Sequence, residues 1–207
     1  MSSVPRSLEV KYQQTSINVT TSYKYLGVVI DPTLTLNENF NRTYKKATSR
    51  LRLLSKLRYQ LTCSSAAAIY TTMALPIITY CSLLSLHVTK TQEIKLKSID
   101  DRAKNIVGLP LASKILSIES FKSRHACKFV RKCLDKSGCE NFDGYFALLE
   151  HSKTTRNISL KLPAVRTEFA RKSAFFMAAK IYNQLPTDIR KTESYSNFCQ
   201  KLKDHLT

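Results

Sequence analysis

Tryptophan is absent from this 207-residue chain, and glycine occurs only four times. So few glycines exclude a glycine-rich phosphate loop, whose backbone must approach its ligand where no Cβ can stand. Acid is also scarce: 15 Asp and Glu stand against 33 Lys and Arg, a formal net charge of +18 with a pI near 9.8. The opening MSSVPRSLEV has no apolar core, which predicts no secretory signal, an intracellular setting and reduced cysteines. A hydrophobic share of 43% and a charged share of 23% are ordinary for a folded protein, so wholesale disorder is excluded. What remains to be explained is the basic excess, which calls for a polyanionic partner.

The first stretches are strand-like. LEVKY (8–12) alternates apolar and polar residues, SINVTT follows, and YKYLGVVID (23–31) is rich in aromatic and β-branched types. Gly27 interrupts the last of these and marks either a bulge or another backbone passing close by, and Asp31-Pro32 ends the strand. Two or three strands in a hairpin or meander are only marginally stable alone.

Beyond Pro32 the pattern is helical. Leu36, Phe40, Tyr44, Ala47, Leu51, Leu54 and Leu61 recur at helical spacing, one face of a long amphipathic helix. Between residues 41 and 60 the remaining faces carry Arg42, Lys45, Lys46, Arg50, Arg52, Lys56 and Arg58, with no acid among them. A solvated surface ordinarily mixes signs and gains i,i+4 ion pairs. Unopposed cations repel one another unless a polyanion lies against them.

No Lys, Arg, Asp or Glu occurs from Tyr59 to Thr89, long enough to span a bilayer. Hydroxyl residues inside it, Pro76 within it and basic residues on both flanks argue instead for two buried helical segments meeting at Pro76. A third helix starts at a capping box in TKTQ (89–92), runs through Leu96, Ile99, Ala103 and Ile106, and stops at Gly108 before Pro110. A fourth covers about 117–136, with Ile118, Phe121, His125, Phe129, Cys133 and Leu134 near one face. Its other faces carry Lys122, Arg124, Lys128, Arg131, Lys132 and Lys136. EHSKTTRN (150–157) reads as a loop, and the last segment as two helices broken at Pro186.

Catalytic chemistry is hard to find. Cys127, Cys133 and Cys139 are too widely spaced to open a structural zinc site with His125 or His151. Asp100 and Asp101 form the one adjacent acidic pair, but neighbours on a helix diverge by about 100°. With Arg102 beside them, they read as solvated surface acids. The residues alone therefore describe a basic, mainly helical nucleic-acid-binding module with short antiparallel strands at its N-terminus.

A family resemblance adds to this. YKYLGVVIDPTLTLNENFNRTYKKATSRLRLLSKLR resembles the segment of non-LTR (LINE-type) retrotransposon reverse transcriptases that closes the palm and enters the thumb. AAAIYTTMALPIITYCS, IKLKSIDDRAKNIVGLP and RKSAFFMAAKIYNQLPTDIRKTESYSNFCQKLKDHL are similar to the stretches that follow, in order, from about residue 22 to 206. The family's tryptophans after Tyr-Cys and before Asn-x-Leu-Pro are missing: YCSLLSLHV has none, and Tyr182 precedes Asn183.

The resemblance implies palm-end strands over 1–31, a thumb-like helical region over 32–88 and a helical C-terminal extension over 89–207. It places the catalytic aspartates, and the Mg2+ they bind, in an upstream palm, so that no cofactor belongs to this chain. It implies contacts from Arg42, Lys45, Lys46, Arg50, Arg52 and Lys56 to a template–primer duplex of RNA and DNA. Lys128, Arg131 and Lys132 form a second surface for the element's own RNA, and Leu26 and Gly27 a primer-proximal strand. The expected setting is a nuclear or cytoplasmic ribonucleoprotein, with no membrane. Four other readings stay open: a self-standing basic RNA-binding protein, the product of a decayed element, a membrane protein anchored by residues 64–86, and an enzyme in its own right.

Overall fold

The structure, a computed structural model, describes residues 10–13, 15–17, 20–112, 115–138, 140–142, 144–148 and 159–206. Leu8 and Glu9 of the first expected strand, Cys139, His151 and the loop expected at 150–157 lie outside these residues. The fold is mainly helical, with short antiparallel strands at the N-terminus. The chain divides at Arg42–Thr43 into two compact units. The second takes in the 43–88 part of the expected thumb-like segment and the expected extension.

The first unit holds two separate two-stranded sheets. Strand β1 (Val10–Tyr12) pairs antiparallel with β2 (Thr15–Ile17), in the register Val10↔Ile17 and Tyr12↔Thr15. Strand β3 (Tyr23–Tyr25) pairs with β4 (Val28–Ile30), in the register Tyr23↔Ile30 and Tyr25↔Val28. YKYLGVVID is thus a hairpin rather than the single strand expected from the sequence. Leu26 and Gly27 form its two-residue loop, with φ of 46° and 87°. Positive φ at both central positions suits a type I′ turn, whose twist matches that of the flanking strands. Gly27 reaches this conformation freely; Leu26 reaches it against the clash of its Cβ.

The carboxylate of Asp31 then organises the next five residues. It accepts from the Thr33, Thr35 and Leu36 N–H groups at 3.1, 3.0 and 2.8 Å, and from both threonine hydroxyls. These donors hold its pKa far below the ordinary carboxylate value, the Thr33 hydroxyl contributing most. Leu34 and Leu36 both have positive φ within this loop. It delivers the chain into helix α1 (Asn37–Leu57), where Asn39 Oδ1 accepts the Val29 N–H at 3.1 Å.

The second unit continues α1 into a 3-10 turn, Arg58–Gln60. Helix α2 (Cys63–Ile69) starts at Thr62, whose hydroxyl accepts the Ser65 N–H at 3.1 Å. The helical path runs on through a π turn (Tyr70–Ala74) into α3 (Leu75–Thr79). Two segments meeting at Pro76 were expected; the irregularity falls before the proline. The Leu75 N–H bonds the Tyr70 carbonyl, five residues back, so the widened turn precedes Pro76 in the first turn of α3. The Thr71, Thr72 and Thr79 hydroxyls donate to carbonyls three or four residues earlier. No helix among the described residues is long and apolar enough to cross a membrane.

Helix α4 (Lys90–Val107) opens with the expected capping box: Thr89 Oγ1 accepts from Gln92 N–H, and Gln92 Oε1 from Thr89 N–H. Gly108, at φ 92°, ends it ahead of the short α5 (Leu109–Ala112). Helix α6 (Ile118–Leu134) is the hub of the C-terminal core. Its buried face is Ile118, Lys122, Ala126, Cys127, Val130 and Cys133; of the expected stripe, Ile118 and Cys133 are buried, Phe121, Phe129 and Leu134 are half-buried, and His125 is exposed. Three helices follow α7 (Glu168–Arg171): α8 (Ala174–Asn183), α9 (Thr187–Arg190) and α10 (Tyr195–Leu206). Ala178, Ala179, Tyr182, Phe198 and Leu202 pack with α6 in that core. Asn183 pins the segment at Leu160 by accepting its N–H at 2.8 Å and donating to its carbonyl at 2.9 Å. Tyr182 is buried and stands 6.2 Å, centroid to centroid, from Phe198.

Candidate nucleic-acid interface

Helix α1 buries Ala47, Thr48, Leu51 and Leu54. At 100° per residue, Lys45, Lys46, Arg50, Arg52 and Lys56 occupy an arc of about 160° on the opposite side, and they span roughly 16 Å of axis. All five are exposed. Among the described residues the ion pairs are Arg131–Asp135 and Lys172–Glu168, neither of which touches this face. Leu53, 49% exposed, and the half-exposed Leu57 lie on the same arc, and Tyr59 beyond it is 92% exposed. The face thus alternates cations with apolar side chains that can lie against sugars and bases. Arg42 is half-buried and belongs to the first unit. Tyr44, next to the face, has the Lys95 ammonium 5.6 Å from its ring centroid.

The expected second surface on α6 is thinner than its composition. Lys122 is buried, and its ammonium donates to the Ser85 carbonyl at 2.9 Å; burial lowers its pKa to about 8. Arg131 is committed to the fold. Its Nε donates to Asp135 at 2.8 Å, its two terminal nitrogens to the Arg190 and Glu193 carbonyls, and its guanidinium lies 5.6 Å from the Phe198 centroid. Lys132 is exposed but rests over the Tyr195 ring at 5.8 Å, and Lys128 is half-buried. The structure therefore leaves two cations, not a patch, among the three named on this helix.

Leu26 and Gly27 sit at the tip of the β3–β4 hairpin rather than within a strand, with Leu26 73% exposed. Asp100, expected to be solvated, is buried. It accepts the Ile118 N–H at 3.1 Å and lies 3.5 Å from the Tyr70 hydroxyl. Burial raises its pKa to about 6. Asp101 is exposed, so the two carboxylates do not converge. Among the described residues no three His, Cys, Asp or Glu side chains gather as a metal site, and Cys63, Cys81, Cys127, Cys133 and Cys199 are free thiols.

Sequence reasoning missed Arg102. From α4 it lines a groove whose other wall is α1, together with Arg52 and Arg58. No spacing along the chain links residue 102 to residue 52; only the packing of the two helices does. No protein-family model, no curated protein and no solved structure matches the chain.

Proposed function

We propose that this chain grips nucleic acid through its phosphate backbone, along the basic face of α1, as the thumb-like and C-terminal part of a non-LTR-type reverse transcriptase. The carrying observation is the placement of Lys45, Lys46, Arg50, Arg52 and Lys56 on one exposed arc, with no ion-pair partner for them among the described residues. Five cations over about 16 Å match the close spacing of charge along a duplex, which gains by releasing its counterions. Contacts to phosphates carry no sequence information, so a grip of this kind is independent of sequence.

The retrotransposon part of the reading rests on the ordered resemblance from residue 22 to 206. Several of its positions have structural work in this fold. Asp31 sets the entry into α1, Gly108 ends α4, and Asn183 ties Leu160 to α8. Polymerisation itself, and the Mg2+ it requires, are assigned to a palm region outside this chain.

The test is a salt titration of an RNA–DNA duplex, followed by fluorescence anisotropy. Neutralising about five phosphates gives a slope of log K against log salt of about −4.5, a loss of several hundredfold between 50 and 200 mM. A slope near zero would sink the proposal.

A further inference from the structure

Beside its basic face, α1 forms a groove with α4 of about 340 Å³, lined by Leu51, Arg52, Ser55, Arg58, Arg102, Asn105 and Ile106. Three arginines line one recess, and none of them has an ion-pair partner among the described residues. They come from three places: Arg52 from α1, Arg58 from the 3-10 turn after it, and Arg102 from α4. The floor is apolar, since Leu51 is 2% exposed and Ile106 half-buried. Ser55 and Asn105 supply the neutral hydrogen-bonding groups.

Each feature narrows the ligand. Three arginines without a carboxylate select an anion, and the planar, multiply donating guanidinium suits phosphate. Inorganic phosphate alone would leave the apolar floor uncovered. The volume falls at the small end of ligand pockets, the scale of a single nucleotide rather than a helix or a folded partner. A flat heteroaromatic base can lie on the half-buried Ile106, above the already buried Leu51, with the Asn105 amide able to donate to and accept from its edge.

We propose that the α1–α4 groove seats one nucleotide unit, its phosphate among Arg52, Arg58 and Arg102 and its base on Ile106, above the buried Leu51. Arg52 lies at the edge of the basic arc, so an unpaired residue at the end of a strand held along α1 can turn into the groove. Only this last step, the source of the nucleotide, rests on the nucleic-acid reading of the α1 face.

The experiment is a methyl NMR titration of the full chain, labelled at Leu and Ile, with a nucleoside 5′-monophosphate, the matching nucleoside and inorganic phosphate. The monophosphate is expected to give saturable shifts at Leu51 and Ile106. Its Kd should rise about tenfold or more in Arg102→Ala and in Arg58→Ala, each removing a charged hydrogen-bond donor from an exposed position. Absence of saturable shifts overturns the site. Equal affinity for inorganic phosphate overturns the base seat, and equal affinity for the nucleoside overturns the phosphate seat.

An unlabelled single-stranded octanucleotide is then expected to produce the same shifts and compete with the monophosphate. Failure to compete overturns the strand as the source. Duplex binding by Arg102→Ala should change less than twofold, because Arg102 lies outside the α1 arc; an equal loss for duplex and mononucleotide overturns the groove as a separate seat. A flat salt slope for the duplex would remove the grip along α1 while leaving mononucleotide shifts in the groove to stand or fall on their own.

Discussion

The carboxylate of Asp100 in α4 accepts the first backbone N–H of α6, that of Ile118, at 3.1 Å. It thereby closes one of the orphan donors of that helix, beside the Ser117 hydroxyl that accepts from Ser120 at 3.0 Å. The Tyr70 hydroxyl approaches the same carboxylate at 3.5 Å, so one buried acid joins α4, α6 and the π turn. Asp100→Ala strands both donors and is expected to cost about 1–3 kcal/mol in urea unfolding. Asp100→Asn keeps an acceptor and should cost less.

The same residue predicts a pH dependence. Burial raises its pKa from 3.8 to about 6 in the folded protein, so the folded state holds more protons than the unfolded state between those values. Stability from this group therefore falls as pH rises from about 4 to 6. The wild-type protein should lose stability relative to Asp100→Asn across that window, as read from paired denaturant melts. A difference that stays flat with pH would show that the carboxyl titrates normally.

Lys122 is the mirror case on the basic side. Its ammonium is buried against the Ser85 carbonyl, and its pKa falls from 10.5 to about 8. Here the folded state holds fewer protons between pH 8 and 10.5, so stability from this group rises with pH through that window. Lys122→Met keeps the length of the chain and removes the titration. The wild type should gain on this variant as pH rises from 8 to 10.

How much of this was legible in the sequence depends on whether a local or a tertiary cause was at work. The Thr89–Gln92 capping box, the Gly108 stop and the basic arc of α1 follow from residues within a turn or two of one another. The hairpin was misread because Leu26 occupies a positive-φ position that Gly, Asn or Asp usually takes, so a turn looked like part of a strand. Ile118 and Cys133 of the expected α6 stripe are buried, but its large aromatic residues drew the rest of the stripe off the packing centre. The packing centre is instead lined by Ala126, Cys127 and Val130, small enough to admit α8 closely. Asp100, Lys122 and Arg131 have polar side chains that only their partners on other segments explain, and the Arg102 groove exists only where two helices meet.

Arg131 separates a structural cation from a phosphate-binding one. Its guanidinium donates to Asp135 and to the Glu193 carbonyl at 2.7 Å, holding α6 to the segment before α10. Arg131→Ala should destabilise the fold by about 1.5–3 kcal/mol, the range for hydrogen bonds involving a charged group. The salt slope of duplex binding should not change, when measured well below the melting transition. A reduced slope with unchanged stability would return Arg131 to the nucleic-acid surface.

The hairpin tip makes a simpler test of strain. Leu26 holds φ 46°, a conformation costing an L residue with a Cβ roughly 1 kcal/mol, and Gly27 holds φ 87°. Leu26→Asn should relieve part of this, slowing amide exchange at Val28 and Val29, while Gly27→Ala should speed it. If both variants exchange like the wild type, the I′ turn does not limit opening of the hairpin.

The α1 face makes a graded prediction. If each of Lys45, Lys46, Arg50 and Lys56 neutralises a phosphate, replacing any one by Gln lowers the magnitude of the salt slope by about 0.9. It should weaken binding alike for duplexes of unrelated sequence, because backbone contacts carry no base information. Pairs such as Lys45 with Lys56, about 16 Å apart along the axis, should add nearly independently. Anisotropy titrations of the four single variants and this double variant, on two duplex sequences, supply the measurement. Losses confined to one sequence would place the contacts on base edges. Losses with an unchanged slope would mean that these side chains shape the helix surface rather than meet the phosphates.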